Sequence, residues 1–238
     1  MEITIARRFC GPPTSGNGGY SCGQLAAFID GPAEVTLRAP PPLETPLRVE
    51  RDGAAVRLLH GSQLVGEARP APAFALDVPA PPSWAEAEAA ARRYNGLHNH
   101  AYSTCFVCGP KAHQGLHIYS GPWKDGRVAG TWTPDASLAD EHGRVRPEFL
   151  WAAIDCPGSW SVIGRNDPDA PVKDLPSTVL LGRLTGRIER KLKAGEPCTV
   201  LGWFLGAQGR KFDVGTAIHT RAGALVASSI GTWIALKA

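Results

Sequence analysis

The stretch "RPAPAFALDVPAPPSWAEAEAAARRYNG" (Arg69 to Gly96) divides the chain, and that division limits what the chain can fold into. Its first part is rich in Pro and Ala, which suits neither a helix interior nor a central strand. Ser83 then precedes "WAEAEAAARRY", with Glu86 three residues on, the spacing of a capping box that opens a short linker helix. The two sides read alike. The first gives a strand (ITIARRF), a Gly-rich loop, a short apolar helix (YSCGQLAAFI), then strands AEVTLRA, LRVERDG, AAVRLLHG and QLVGEARP. The second gives strands GLHIYSG and GRVAGTWTP, a loop, an apolar helix (EFLWAAID), then VLLGRLTGRIERKL, CTVLGWFLG, RKFDVGTAIHT and LVASSIGTWIAL. Each half thus places one buried helix early and follows it with a meander. The segments "VTLRAPPPLETPLRVE" and "GRIERKLKAGEPCTVL" align without gaps as strand, Pro-containing turn, strand. The expected fold class is α+β: two fused units, each a long antiparallel sheet wrapped around one central helix. The expected limits are 1–72 for the N-terminal unit, 73–100 for the linker and 101–238 for the C-terminal unit.

Composition excludes several classes of function. Of 238 residues, 43% are hydrophobic and 20% charged, which supplies a core without the bias of a disordered chain. The net charge of +3 is small and its one basic cluster, "RIERKLK" (Arg187 to Lys193), alternates like the solvated face of a strand, so no nucleic-acid partner is expected. The start "MEITIARRF" lacks the charged and apolar regions of a signal peptide, and no window is long enough for a membrane span. Six scattered cysteines without an export signal read as reduced thiols, and the expected location is cytoplasmic.

One residue conflicts with its setting. Asp155 lies in "EFLWAAIDCPGSW", an apolar helical run, where an unpaired carboxylate is costly and responds by taking up a proton. A late helical position is also opposed by the local dipole. Two readings stand side by side: a catalytic acid, or a structural residue in the turn that Asp-Cys-Pro-Gly favours.

Three segments resemble the double-hotdog acyl-CoA thioesterases. "NGGYSCGQLAAFI" (Asn17 to Ile29) is similar to the Gly-Gly loop and helix of hotdog thioesterases, and "CFVCGPKAHQGLHI" (Cys105 to Ile118) to the Cys-Phe-x-Cys-Gly segment that often opens a hotdog unit. "RPEFLWAAIDC" (Arg146 to Cys156) resembles the helix that bears the family's catalytic carboxylate. The similarity runs in order over nearly the whole chain. It departs in dividing the functional parts. Ala26, between Leu25 and Ala27, stands where the first half would carry an acid, and Pro147 removes a backbone N–H where the second would donate one.

The resemblance implies one composite site, Asp155 facing the Asn17–Tyr20 loop across the two halves, and a dead counterpart at Ala26 and Pro147. It implies hydrolysis of an acyl-CoA or acyl-carrier thioester, with Asp155 as general base or nucleophile. Gly18 and Gly19 are expected to bring backbone close to the ligand. Amides at Gly19, Tyr20 or Ser21 are then the expected oxyanion hole. Asn17 either bonds the thioester or fixes the turn. Trp151 and Ser159 are expected to contact substrate, no cofactor is implied, and association into a homo-oligomer (a dimer) is expected from the family. The alternative is an acyl- or lipid-binding protein that has lost turnover; a hydratase would need a His near the helix start, which neither "NGGYSCG" nor "RPEFLWA" contains.

Other residues carry weaker signals. Cys105, Cys108, His113 and His117 approach metal-ligand spacing, but the resemblance accounts for the Cys pair as a turn, and no metal is assigned. His98, His100 and His142 read as surface residues, His60 and His219 as strand residues. Arg183, Arg210 and Lys211 are candidates for CoA phosphates at a strand edge.

Overall fold

The computed structural model describes residues 1–164 and 176–236. Its organising element is one antiparallel sheet built from β1 (Glu2–Thr4), β2 (Ala33–Leu37), β3 (Pro46–Asp52), β4 (Ala55–His60), β5 (Gln63–Pro70), β6 (Gly121–Pro122), β7 (Val128–Trp132), β8 (Val179–Ile188), β9 (Cys198–Gln208), β10 (Lys211–Thr220) and β11 (Leu225–Ala235). The spatial order is β1-β3-β4-β5-β2-β8-β11-β10-β9-β7-β6. Setting aside the two-residue β6, the order 1-3-4-5-2 is repeated as 7-9-10-11-8, so the two halves share one topology. This is the double hotdog expected from the repeated pattern.

The halves meet where β2 pairs with β8. The gapless alignment that equates Val35 with Gly186 also equates Glu34 with Thr185, and Glu34 and Thr185 are Cα partners across the seam. Ala33 pairs with Gly186 and Val35 with Leu184, so a local two-fold axis passes between Glu34 and Thr185. A weak sequence repeat is thereby a symmetry element of the molecule.

Four helices complete the described fold. α1 (Gly18–Ala26) and α3 (Pro147–Ala153) are the central helices, and α4 (Cys156–Ile163) resumes after α3. α2 (Trp84–Ala91) is the linker helix, and its capping box is made as expected: Glu86 N–H donates to Ser83 Oγ (3.3 Å) and Ser83 N–H to Glu86 Oε2 (2.8 Å). α2 buries only Ala87 and Ala90, which sit against Ala129 of β7. No helix among the described residues is long and apolar enough to cross a membrane.

α1 and α3 pack antiparallel and unusually close. A Cβ on Gly19 would lie 2.4 Å from Asp155 Cβ and 2.5 Å from the Trp151 carbonyl oxygen, and one on Gly23 would lie 2.7 Å from Glu148 Cα. Gly19 and Gly23 stand one turn apart on the same face of α1, so the helix backbones touch there. Around this seam Phe9 stacks on Tyr20 (centroids 4.1 Å apart) and meets Phe106 edge-on at 5.0 Å.

Three local expectations fail. "GLHIYSG" yields only the start of β6, because His117 adopts φ +53°, which breaks extension. β1 ends at Thr4, and Arg7–Phe9 form a 3-10 turn in place of further strand. β8 ends at Ile188, so most of "RIERKLK" lies beyond the strand.

Candidate active site

Asp155 stands at the break between α3 and α4, and the break has a definite cause. Pro157 has no N–H to give to Ala153 and its ring excludes a continuous helix. The chain bends at Asp155 (φ −88°, ψ −74°), and the Gly158 N–H turns back to the Asp155 carbonyl at 3.0 Å. This frees the Ile154 carbonyl inside the core. Thr216 Oγ1 donates to it at 2.6 Å, and Ser229 Oγ closes the triangle, 2.6 Å from Thr216 Oγ1 and 3.3 Å from the same carbonyl. Both hydroxyls are buried. Thr216→Val keeps the shape but removes the donor, and is expected to cost about 1–3 kcal/mol. A thermal melt checks this: a midpoint equal to that of the unaltered chain would show that Pro157 holds the bend without help.

The Asp155 side chain is 1% exposed. Oδ2 accepts the Gly19 N–H at 2.8 Å and Asn17 Nδ2 at 3.1 Å, whereas Oδ1 has no hydrogen-bond partner among the described residues. Burial pushes the carboxyl up to about 7; the Gly19 N–H opposes that rise, nearby Cys105 adds to it, and Asn17 opposes it. One oxygen is therefore fixed by two donors and the other is buried without one. The acid of the second half and the glycines of the first do meet.

The glycines are arranged differently from the expectation. Gly18 and Gly19 are the first residues of α1 rather than a loop, neither has positive φ, and Gly19 approaches α3 rather than a ligand. The expected oxyanion amides are also engaged. Gly19 N–H goes to Asp155, Tyr20 N–H to Asn17 Oδ1 at 2.9 Å, and Ser21 N–H to the Asn17 carbonyl at 3.0 Å. The reason is capping: Asn17 satisfies the helix start that was expected to stay open. The Gly18 N–H alone of the four has no partner among the described residues, and Gly18 lines the adjoining cavity.

That cavity has a volume of about 500 Å³, within the range of small-molecule sites. Asn17, Asp155 and Ser159 contribute polar groups, while Leu181, Trp160 and Ile234 contribute apolar wall. Ser159 Oγ donates to the Cys156 carbonyl at 2.8 Å. Trp151 is not among the described lining residues; it is buried with its Cβ against Gly23, because the close helix crossing takes its side of α3. Arg210 and Arg38, both exposed, line the cavity; Arg38 Nε donates to Glu67 Oε1 at 2.9 Å and Arg210 Nη1 to the Ala235 carbonyl at 2.9 Å. Arg183 instead contacts Thr36 (3.3 Å) and Glu34 (3.9 Å), and Lys211 is exposed on β10.

Of the histidines, His60, His98 and His142 are exposed and His219 is buried in β10. His113 is exposed, and His117 Nε2 bonds the Ala112 carbonyl at 2.9 Å, so neither joins the Cys pair. His100 is not a surface residue: it is half-buried, with its ring 5.3 Å from that of Trp160. The soft-donor group that does form is Cys105, Cys108 and Cys156, beside Asn17. The sequence pointed to the first two. Cys156 joins them only because the bend at Asp155 turns the start of α4 toward the 105–109 turn.

No protein-family model matches the sequence, and no curated protein does so significantly. Solved structures do resemble it. A "putative thioesterase" from Novosphingobium aromaticivorans superposes with a TM-score of 0.62 at 12% identity, covering 99% of this chain and 95% of its own. A "putative thioesterase II" from Thermobifida fusca gives 0.59 at 15% identity, covering 99% and 92%. At such identities the likeness establishes a shared fold over the full described length of the chain.

Proposed function

We propose that this chain hydrolyses thioesters, with an acyl-CoA or acyl-carrier substrate lying in the 500 Å³ cavity and Asp155 acting on the thioester carbonyl. The observation that carries this reading is the asymmetric carboxylate. Oδ2 is held by two donors from the first half, and the unpartnered Oδ1 is left to activate a water or attack directly. The Gly18 N–H, at the positive end of α1, supplies the remaining amide for charge developing on the carbonyl oxygen. Leu181, Ile234 and Trp160 suit the acyl chain, and Arg38 and Arg210 suit the carrier's phosphates.

A screen of thiol release across acyl-CoAs of graded chain length tests the reading, with turnover expected for at least one length class. The competing reading is an acyl-binding protein without turnover. It draws on the engagement of the Gly19, Tyr20 and Ser21 amides, which leaves a single donor. Ligand retention with no thiol release from any acyl-CoA or acyl-carrier substrate would decide for it.

A further inference from the structure

Three cysteines converge from two distant segments. Cys105 and Cys108 flank a tight turn and Cys156 opens α4; their Sγ atoms all lie within 4.8 Å of one another, with Cys105 and Cys156 at 3.7 Å. All three are buried and free of disulfides. His100 Nε2 approaches Cys108 Sγ to 3.3 Å. Zinc takes sulfur at about 2.3 Å and imidazole nitrogen at about 2.0–2.1 Å, so a tetrahedral ion separates its sulfurs by about 3.8 Å and sulfur from nitrogen by about 3.5 Å. The Cys105–Cys156 and Cys108–His100 separations are close to those edges, while His100 Nε2 stands more than 4.8 Å from at least one of the other two sulfurs, so its ring has to swing inward to complete the tetrahedron.

The turn is shaped for this. In Cys105-Phe106-Val107-Cys108-Gly109 the Gly109 N–H closes on the Cys105 carbonyl at 2.8 Å. A Cβ on Gly109 would lie 2.5 Å from the Cys105 nitrogen and 2.5 Å from the Ser103 carbonyl oxygen, so the bend excludes a side chain there. The fold brings both sulfurs of the turn to one side, against Cys156. Nothing in thioester hydrolysis calls for such a group of thiols.

We propose that Cys105, Cys108, Cys156 and His100 Nε2 form a tetrahedral zinc site that ties the 105–109 turn to the start of α4. Four protein ligands close the coordination sphere, which makes the ion structural. Its binding displaces the three thiol protons. His100 Nδ1 accepts the Tyr102 N–H at 3.0 Å, which places the ring proton on Nε2 in the ion-free chain. Ligation moves that proton to Nδ1, and the Tyr102 contact gives way. Asn17 Nδ2 lies 3.8 Å from both Cys105 and Cys156 Sγ while donating to Asp155, so the ion stands one side chain from the carboxylate. The site does not rest on the proposed hydrolysis.

The test uses the full chain, purified under reducing conditions, with zinc and then cobalt as probes. One tightly held zinc per chain is expected, and cobalt in its place should show tetrahedral ligand-field bands with a thiolate charge-transfer band of three-sulfur intensity. Cys108→Ser should weaken metal binding by about a hundredfold or more and reduce the charge-transfer band. His100→Ala should keep that band and shift the ligand-field bands. Cys198→Ser, a buried cysteine on β9, should change neither. If Cys108→Ser does not fold, the cobalt spectrum of the unaltered chain and a chelator-dependent fall in its melting point still decide. Failure to take up either metal after full reduction would overturn the proposal, as would a cobalt spectrum without thiolate bands. So would a Cys105–Cys156 disulfide in a chain that takes up no metal once reduced.

Discussion

Asp155→Asn is expected to lower kcat for thioester hydrolysis by about 10²- to 10⁴-fold, the usual contribution of a positioned general base. The fold should survive. The Asn carbonyl oxygen can take the place of Oδ2 and keep the donors Gly19 N–H and Asn17 Nδ2, while the amide nitrogen replaces the unpartnered Oδ1. Substrate affinity should change little, because the cavity wall is untouched. Steady-state thiol release, with a melting curve as control, makes the measurement. A folded variant that retains full kcat would remove Asp155 from the reaction, and with it the reading of the site.

Gly19→Ala should damage both the fold and the site with a single methyl group. Its Cβ would stand 2.4 Å from Asp155 Cβ, 2.5 Å from the Trp151 carbonyl and 3.0 Å from Ala152 Cα, so α3 itself must retreat from α1. Overpacking of this kind costs about 1–3 kcal/mol, and the upper end applies where the obstacle is backbone. The same retreat lengthens the Gly19 N–H bond to Asp155, so activity should fall with stability. Gly18→Ala is the informative contrast. Its nearest neighbours would be Cβ and Cδ2 of Leu181, both at 2.9 Å, so a single strand residue rather than a helix backbone has to give. A denaturant series on both variants checks the ranking. Equal losses at the two positions would mean that the helix contact is softer than these distances imply.

The sequence carried the repeated architecture because each half contains a buried helix and alternating strands of sufficient length, and periodicity reports such elements directly. Asp155 was legible because a carboxylate in an apolar run contradicts its neighbours. What stayed hidden is set by long-range contacts. That Gly19 spends its N–H on Asp155 depends on how closely two helices far apart in the chain approach. The signal for that approach was present in the Gly19–Gly23 spacing, which pairs two small residues on one face of α1. The capping role of Asn17 had a local signal too, an Asn just before a helix start. His100 had none: only the folded chain brings it to Cys108.

The seam between β2 and β8 has a consequence for dissection of the protein. Those strands lie side by side in the middle of the sheet order, each covering the other's unpaired amides and carbonyls. A fragment ending between them would bare a full row of backbone hydrogen-bonding groups next to an apolar helix flank. The nearest match for that bare edge is its own copy, turned about the axis that now relates Glu34 to Thr185. Either piece, made separately, should therefore associate as a symmetric pair or precipitate rather than persist as a monomer.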